Sequence, residues 1–203
     1  SSSMKAFIVY PTYRIVDDAT KVYLFGRLEN GESFLSIHDF KPYFYIKKTD
    51  VQKATELDTF IIEEIGFKDF HENEVVKVIF NTPRQVPEAR KKFENADIVC
   101  YEADIRFVMR FLMDNRILGS LNLEGEYKKG NIVNRIYENP KITPAEYFPK
   151  LKVLSLDIET DMKADKLFSG SMVCDGYKEV IMHTEKKLKG VLSVDSEKKI
   201  IET

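Results

Sequence analysis

Asp157 and Glu159 are the two side chains in this sequence best placed to do chemistry. They stand two apart in Leu151-Lys152-Val153-Leu154-Ser155-Leu156-Asp157-Ile158-Glu159-Thr160, which alternates with the period of a strand. Leu154, Leu156 and Ile158 share one face, and Ser155, Asp157 and Glu159 the other. Residues two apart on a strand lie roughly 6.6–6.8 Å apart and point the same way. Both carboxylates can therefore converge on one hard divalent cation, which prefers oxygen ligands on a rigid element. In two-metal phosphodiester cleavage, one ion activates water and the other stabilises the leaving oxygen, about 3.5–4 Å away. Such a centre draws further carboxylates from separate elements, and Asp161, Asp165 and Asp175 fall in expected loops. Spacing alone leaves open an exposed strand face with surface acids; the strongly apolar residues flanking the pair count against it.

The elements that must position such a site read as follows. Ala6–Tyr10, Lys21–Phe25, Ser33–Ile37 and Lys41–Ile46 are expected as an antiparallel meander, with an Asn30-Gly31 turn. Val51–Leu57 reads as a short helix capped by Thr49 or Asp50, and Glu74–Phe80 as a strand. A helix follows Thr82-Pro83, with Val86, Ala89, Phe93 and Ala96 at helical spacing and Pro87 in its first turn. Asp97–Tyr101 reads as a short strand. A second helix, capped by Asp104, is expected to bury Ile105, Val108, Met109, Leu112 and Met113 and to end before Gly119. This order predicts an α+β module of about 125 residues with a mixed sheet. Gly125–Lys150, with a short strand at Ile132-Val133 and prolines at 140, 144 and 149, reads as a link between domains. The expected division is 4–130, a connecting segment at 131–150, and a second domain at 151–203. Phe168–Met172 and Glu179–His183 are its next expected strands, with a Cys174-Asp175-Gly176 turn between them.

Composition narrows the classes. Of 203 residues, 43% are hydrophobic and 12% aromatic, enough for a core; the formal net charge of −2 argues against a globally basic DNA-coating protein. Two cysteines and no secretory apolar region point to a reducing, cytoplasmic setting without disulfides. No apolar run approaches the ~20 residues needed to span a membrane. Ser1-Ser2-Ser3 before Met4 reads as an expression scar. The ending, Ile200-Ile201-Glu202-Thr203 after a strand-like segment, reads as a cut within a longer protein. His38, His71 and His183 lack ligand spacing, Cys100 reads as a small core residue, and Met109–Met113 as helix core. Lys186-Lys187-Leu188-Lys189 reads as a solvated loop.

Leu154-Ser155-Leu156-Asp157-Ile158-Glu159-Thr160 resembles the first proofreading-exonuclease motif of family B DNA polymerases. Three upstream stretches resemble the N-terminal domain of archaeal and polymerase II-like members. These are Lys41-Pro42-Tyr43-Phe44-Tyr45, Thr82-Pro83-Arg84-Gln85-Val86-Pro87 and Tyr101-Glu102-Ala103-Asp104-Ile105-Arg106-Phe107. Asn131-Ile132-Val133-Asn134 is more similar to the bacterial polymerase II branch. The likeness covers most of residues 4–160.

The resemblance implies an N-terminal template-binding domain followed by the first strands of a ribonuclease H-like 3′→5′ exonuclease domain. It implies that Asp157 and Glu159 are catalytic metal ligands for Mg²⁺ or Mn²⁺ in the full-length enzyme, with the remaining ligands supplied beyond Thr203. The 203-residue piece is then expected to be inactive and to hold no metal. Implied partners are primer–template DNA, single-stranded template and dNTPs, with a sliding clamp as a further candidate and no membrane. In archaeal members the N-terminal domain reads template uracil. The matching positions are Tyr10 and Tyr43 as aromatic walls, Pro83 and Val86 at a helix start, and Ile105, Phe107 and Arg110 from the second helix. A flipped uracil must be told from thymine by excluding a methyl group and from cytosine by a donor facing O4. Val86 and Ile105 also fit ordinary helix core, and Tyr43 an ordinary aromatic strand. A non-catalytic nucleic-acid-binding module and a stand-alone DEDD-type nuclease are the rival readings.

Overall fold

The computed structural model describes residues 3–202, which form an α+β chain of two compact units dividing after Pro149. Ser1 and Ser2, two of the three residues read as a scar, lie outside the described residues, as does Thr203.

The first unit begins with β1 (Met4–Val16) and β2 (Ala19–Leu28), an antiparallel hairpin closed by Asp17 and Asp18, both at positive φ. Two successive positive-φ residues suit a two-residue hairpin turn, and short acidic side chains tolerate that conformation. The expected end of the first strand at Pro11 is thus corrected. From Val9 onward β1 has β2 alone beside it, since β7 (Ser120–Glu124) reaches only Met4–Phe7, so a residue without N–H is accommodated. Gly26 is required on β2, because a Cβ there would fall 1.9 Å from the Phe7 carbonyl oxygen. The Asn30-Gly31 turn, with Gly31 at φ +88, leads into β3 (Ser33–Asp39).

The expected meander stops there. β4 (Tyr43–Lys47) leaves this sheet after Pro42 and pairs with β6 (Glu74–Ile79), whose other edge carries β5 (Ile61–Lys68). The free edge of β3 is taken instead by a parallel strand, β9 (Arg135–Glu138). With β8 (Tyr127–Lys129) and β10 (Lys141–Pro144), the large sheet runs β10-β7-β1-β2-β3-β9-β8. Residues expected as a connecting segment therefore supply two strands of the first unit, and Tyr137 is buried in its core. Ile132-Val133, expected as a strand, lies in the bend before β9.

Helices α1 (Val51–Leu57), α2 (Gln85–Asn95) and α3 (Phe107–Asp114) cover the sheets. Asp50 stands at the α1 N-cap but makes no side-chain capping bond, because a 3₁₀ turn over Lys48–Asp50 leads directly into the helix. Ala89 and Phe93 of α2 pack with Phe44, Ile46, Val76 and Val78 of the small sheet in a second core. Asp97–Tyr101 makes a single bridge, Tyr45 to Tyr101, rather than a strand. α3 starts two residues later than Ile105 and buries Phe107, Phe111 and Leu112 against Ala6, Ile8, Val22 and Leu24. Met109 and Met113, expected in the core, are about half exposed. The phenylalanines bury more apolar area than the methionines and set the rotation of the helix.

The second unit is a sheet of β11 (Ser155–Thr160), β12 (Leu167–Cys174), β13 (Tyr177–His183) and β14 (Leu192–Val194), in that order. Gly176, at φ +76, makes the β12–β13 turn. Glu197–Glu202 is a helix, α4; Ile200 packs over Gly170, where a Cβ would lie 3.6 Å from its Cγ2.

Candidate functional site

The carboxylate pair sits on β11, an edge strand. Asp157 pairs across to Ser171 and Glu159 to Ser169, so the face carrying the acids is hydroxyl-lined on the neighbouring strand. The opposite face is apolar: Leu156 and Ile158 border a 350 Å³ hollow with Leu167, Met172, Ile181 and Ile200. Within the unit Leu154, Leu156 and Ile158 are each more than half exposed. Asp157 Oδ1 accepts the Ile158 N–H at 3.1 Å. Asp161 does different work, its Oδ1 accepting the N–H groups of Asp165 and Lys166 at 2.7 and 3.0 Å and fixing the turn after β11. Among the described residues no three His, Cys, Asp or Glu side chains gather in metal-binding geometry. The donor chemistry of Asp157 and Glu159 fits a hard divalent cation, as two ligands of a larger set.

The first unit contains a cavity of about 420 Å³. Tyr43, Pro83, Val86, Ile105, Phe107 and Arg110 all line it, together with Pro42, Pro87, Arg90, Ala103, Asp104 and Arg106. Tyr10 does not: it is exposed on β1, 6.3 Å from the Phe25 ring. The Pro83 wall is held by Gln85, whose Oε1 accepts the N–H groups of Asn81 and Thr82 at 3.0 and 2.9 Å. The Tyr43 hydroxyl donates to both oxygens of Asp114, at 2.8 and 2.7 Å. Burial and then that carboxylate push its phenol well above the usual range, so the ring stays neutral. Arg110 is buried, lies 5.0 Å from the Tyr43 ring centroid and bonds Glu102 at 2.5 Å. Burial works against its charge, but the Glu102 bond and the nearby tyrosine oxygens outweigh it and the guanidinium stays protonated. Asp114 was not singled out in the sequence, although its position four residues after Arg110 on one helix face was a usable signal. The remaining singled-out groups lie apart from both sites: His38 is buried, and burial pushes the half-buried Cys100 thiol up to about 11, leaving it unreactive.

A cavity with aromatic and apolar walls, a buried Arg110 and two further arginines at its lining, and two acids on an open sheet face, suit a planar ring and a metal ion respectively. Residues 98–184 match the model of the DNA polymerase family B exonuclease domain. The DNA polymerase of Methanocaldococcus jannaschii is 29% identical over 209 residues, covering 94% of this chain and 12% of that protein. DNA polymerase II of Escherichia coli is 28% identical over 159 residues, covering 76% of this chain and 20% of that protein. The chain is similar to family B DNA polymerases. A solved family B DNA polymerase from the archaeon Pyrobaculum calidifontis has the same fold, with a TM-score of 0.72 over 92% of this chain at 22% identity. The chain spans 28% of that structure and about an eighth to a fifth of the curated relatives named here. Its α+β fold matches that of the polymerase, and the segment matched by the exonuclease-domain model includes Ile105, Phe107, Arg110, Asp157 and Glu159. No helix among the described residues is long and apolar enough to cross a membrane.

Proposed function

We propose that this chain is the template-reading and exonuclease-opening part of a cytoplasmic DNA-directed DNA polymerase that proofreads in the 3′→5′ direction. Residues 4–149 form the domain that contacts single-stranded template, and 150–203 open a ribonuclease H-like exonuclease domain. The whole enzyme would act on primer–template DNA and dNTPs. Asp157 and Glu159 are the residues that would hold Mg²⁺ or Mn²⁺. Such an ion supplies Lewis-acid activation of water and neutralises charge at the phosphodiester. The strand keeps the two carboxylates on one face, with the serines of β12 beside them. With two carboxylates there, the 203-residue chain alone would bind the ion weakly and excise nothing.

The observation that carries the template-reading part is the convergence on one cavity of Tyr43, Pro83, Val86, Ile105, Phe107 and Arg110, drawn from three separate stretches of sequence. Their chemistry fits a flipped uracil: Tyr43 offers a ring for stacking, and Pro83, Val86 and Ile105 offer apolar walls that would meet the 5-methyl of thymine.

Two measurements test the proposal. Asp157→Ala with Glu159→Ala in the full-length polymerase should abolish removal of a mispaired 3′ end while DNA synthesis continues; wild-type excision would remove the metal assignment. Titration of the 203-residue chain with oligonucleotides containing one deoxyuridine or one thymidine should give tighter binding to deoxyuridine. Equal affinities would leave a plain single-strand-binding role.

A further inference from the structure

A second cleft, of about 700 Å³, shares Arg110 with the first and has no role so far. Its walls include Tyr45, Tyr101, Phe67 and Phe70. Phe70 is fully exposed and Phe67 is 62% exposed, so two large apolar rings face water at its mouth. The backbone is shaped to hold them there. On β5, Glu64 pairs with Val76 and Phe67 with Val75, so Ile65 and Gly66 are additional residues, with Gly66 at φ +68. A bulge of this kind re-aims the side chain that follows it. The next loop is fixed by Asp69, whose carboxylate accepts the N–H groups of His71 and Asn73 and, at 2.7 Å, the hydroxyl of Tyr101. Tyr101 is itself bridged to Tyr45 through backbone bonds of 3.1 and 2.8 Å. Arg110 is only 7% exposed, and its Nε has no acceptor among the described residues. A buried N–H in that state favours a ligand that supplies an acceptor.

Lys68 and Arg110 are balanced by Asp69 and Glu102, so the cleft does not select a highly charged group; its aromatic faces select a planar ring. Tyr43 of the first cavity and Tyr45 of the second stand two apart on β4, on the same side, with ring centroids 5.5 Å apart. The Arg110 guanidinium carbon lies 5.0 Å from the Tyr43 ring centroid and 6.0 Å from that of Tyr45. We infer that the Tyr45 cleft is a second base-binding subsite, which takes the nucleobase next to the one held at Tyr43 on the same single strand. The inference rests on the reading of the first cavity as a template-base site. Consecutive bases then enter adjacent cavities, with Arg110 between them as a shared donor.

The test uses the 203-residue chain and an oligothymidylate with one deoxyuridine and 2-aminopurine as its immediate 5′ or 3′ neighbour. Stacking in the cleft should quench 2-aminopurine emission at one of those two positions. Phe67→Ala with Phe70→Ala, both at exposed positions, should restore the emission and weaken binding about tenfold. Tyr45→Leu should restore the emission as well. Unquenched emission at both neighbouring positions, or quenching that survives the double variant, overturns the inference. Equal affinity for deoxyuridine and thymidine with the neighbour still quenched counts against uracil reading at Tyr43 and supports the second subsite.

Discussion

The cavity of the first unit and the acid-bearing strand of the second are built on opposite plans. Three walls of the cavity are held by contacts inside its own unit: Tyr43 by Asp114, Pro83 by Gln85, Arg110 by Glu102 and two tyrosine rings. Asp157 and Glu159 stand on an edge strand whose apolar face is more than half exposed at Leu156 and Ile158. On the proposed reading the cavity must separate bases differing by a methyl group, which needs rigid walls in advance. A site whose ligand is a cation needs only donors on a fixed backbone, because the ion organises them. Substitutions in the two regions should therefore differ in what they cost the fold.

The largest contrast is expected from core truncation. Phe93 of α2 is fully buried against Phe44 and Phe60, in the core that Val86 of the same helix borders. Phe93→Ala should destabilise the first unit by about 3–5 kcal/mol and loosen the cavity wall. Leu156→Ala, on a strand already exposed, should cost the second unit less than about 1 kcal/mol. Urea titration followed by circular dichroism would measure both, and similar losses would erase the distinction.

Next is a pH effect confined to the first unit. His38 is 5% exposed, bonded to Ser36 Oγ at 3.0 Å and 5.0 Å from the Phe111 ring. Burial lowers its pKa from 6.5 to about 4, opposed by the nearby Asp39 carboxylate. The unfolded chain binds the proton first, so the stabilisation is complete above about pH 6.5 and is lost as pH falls towards 4. The loss should approach about 3 kcal/mol and level off below pH 4. His38→Leu should flatten this part of the pH–stability curve; an unchanged slope would show that other groups set it.

Six of the cavity-lining residues were readable in the sequence, and the misses have physical causes. Tyr43, Pro83, Val86, Ile105, Phe107 and Arg110 carried a resemblance in three stretches that the fold brings to one cavity. Tyr10 carried the same likeness but stands outside the cavity lining, just past the bulge between Ile8 and Tyr10 on β1. A bulge changes which way a side chain points and leaves no mark in a period-two pattern. β5 was invisible because Ile61-Ile62-Glu63-Glu64 does not alternate and the strand is largely exposed. The parallel β3–β9 pairing joins residues about a hundred positions apart, and no local signal announces it. The α3 face was misassigned because the Met109–Met113 spacing and the Phe107–Phe111 spacing are equally helical.

A smaller effect probes the cavity wall itself. Tyr43→Phe removes the donor to Asp114 and keeps the ring, so it should cost about 1–2 kcal/mol of stability in the first unit. Base stacking should be little changed, and loss of oligonucleotide binding would mean that the hydroxyl, not the ring, faces the ligand.

The smallest effect is the most diagnostic, because its sign is the prediction. Asp157 and Glu159 place two negative charges on one strand face roughly 6.6–6.8 Å apart. At that separation, two exposed charges repel by about 0.6 kcal/mol in water. Asp157→Asn with Glu159→Gln removes the repulsion and can keep the Ile158 N–H contact, which an amide oxygen still accepts. Thermal stability of the second unit should therefore be unchanged or rise by a few tenths of a kcal/mol, and adding salt should shrink the gain. Asp161→Ala, four residues on from Asp157, should do the reverse and cost about 1 kcal/mol, because two turn N–H groups lose their acceptor. Millimolar Mg²⁺ should stabilise the parent chain slightly and leave the Asp157→Asn, Glu159→Gln variant unmoved. If instead the two strand acids destabilise on neutralisation as Asp161 does, they hold the fold together and the metal assignment loses its physical basis.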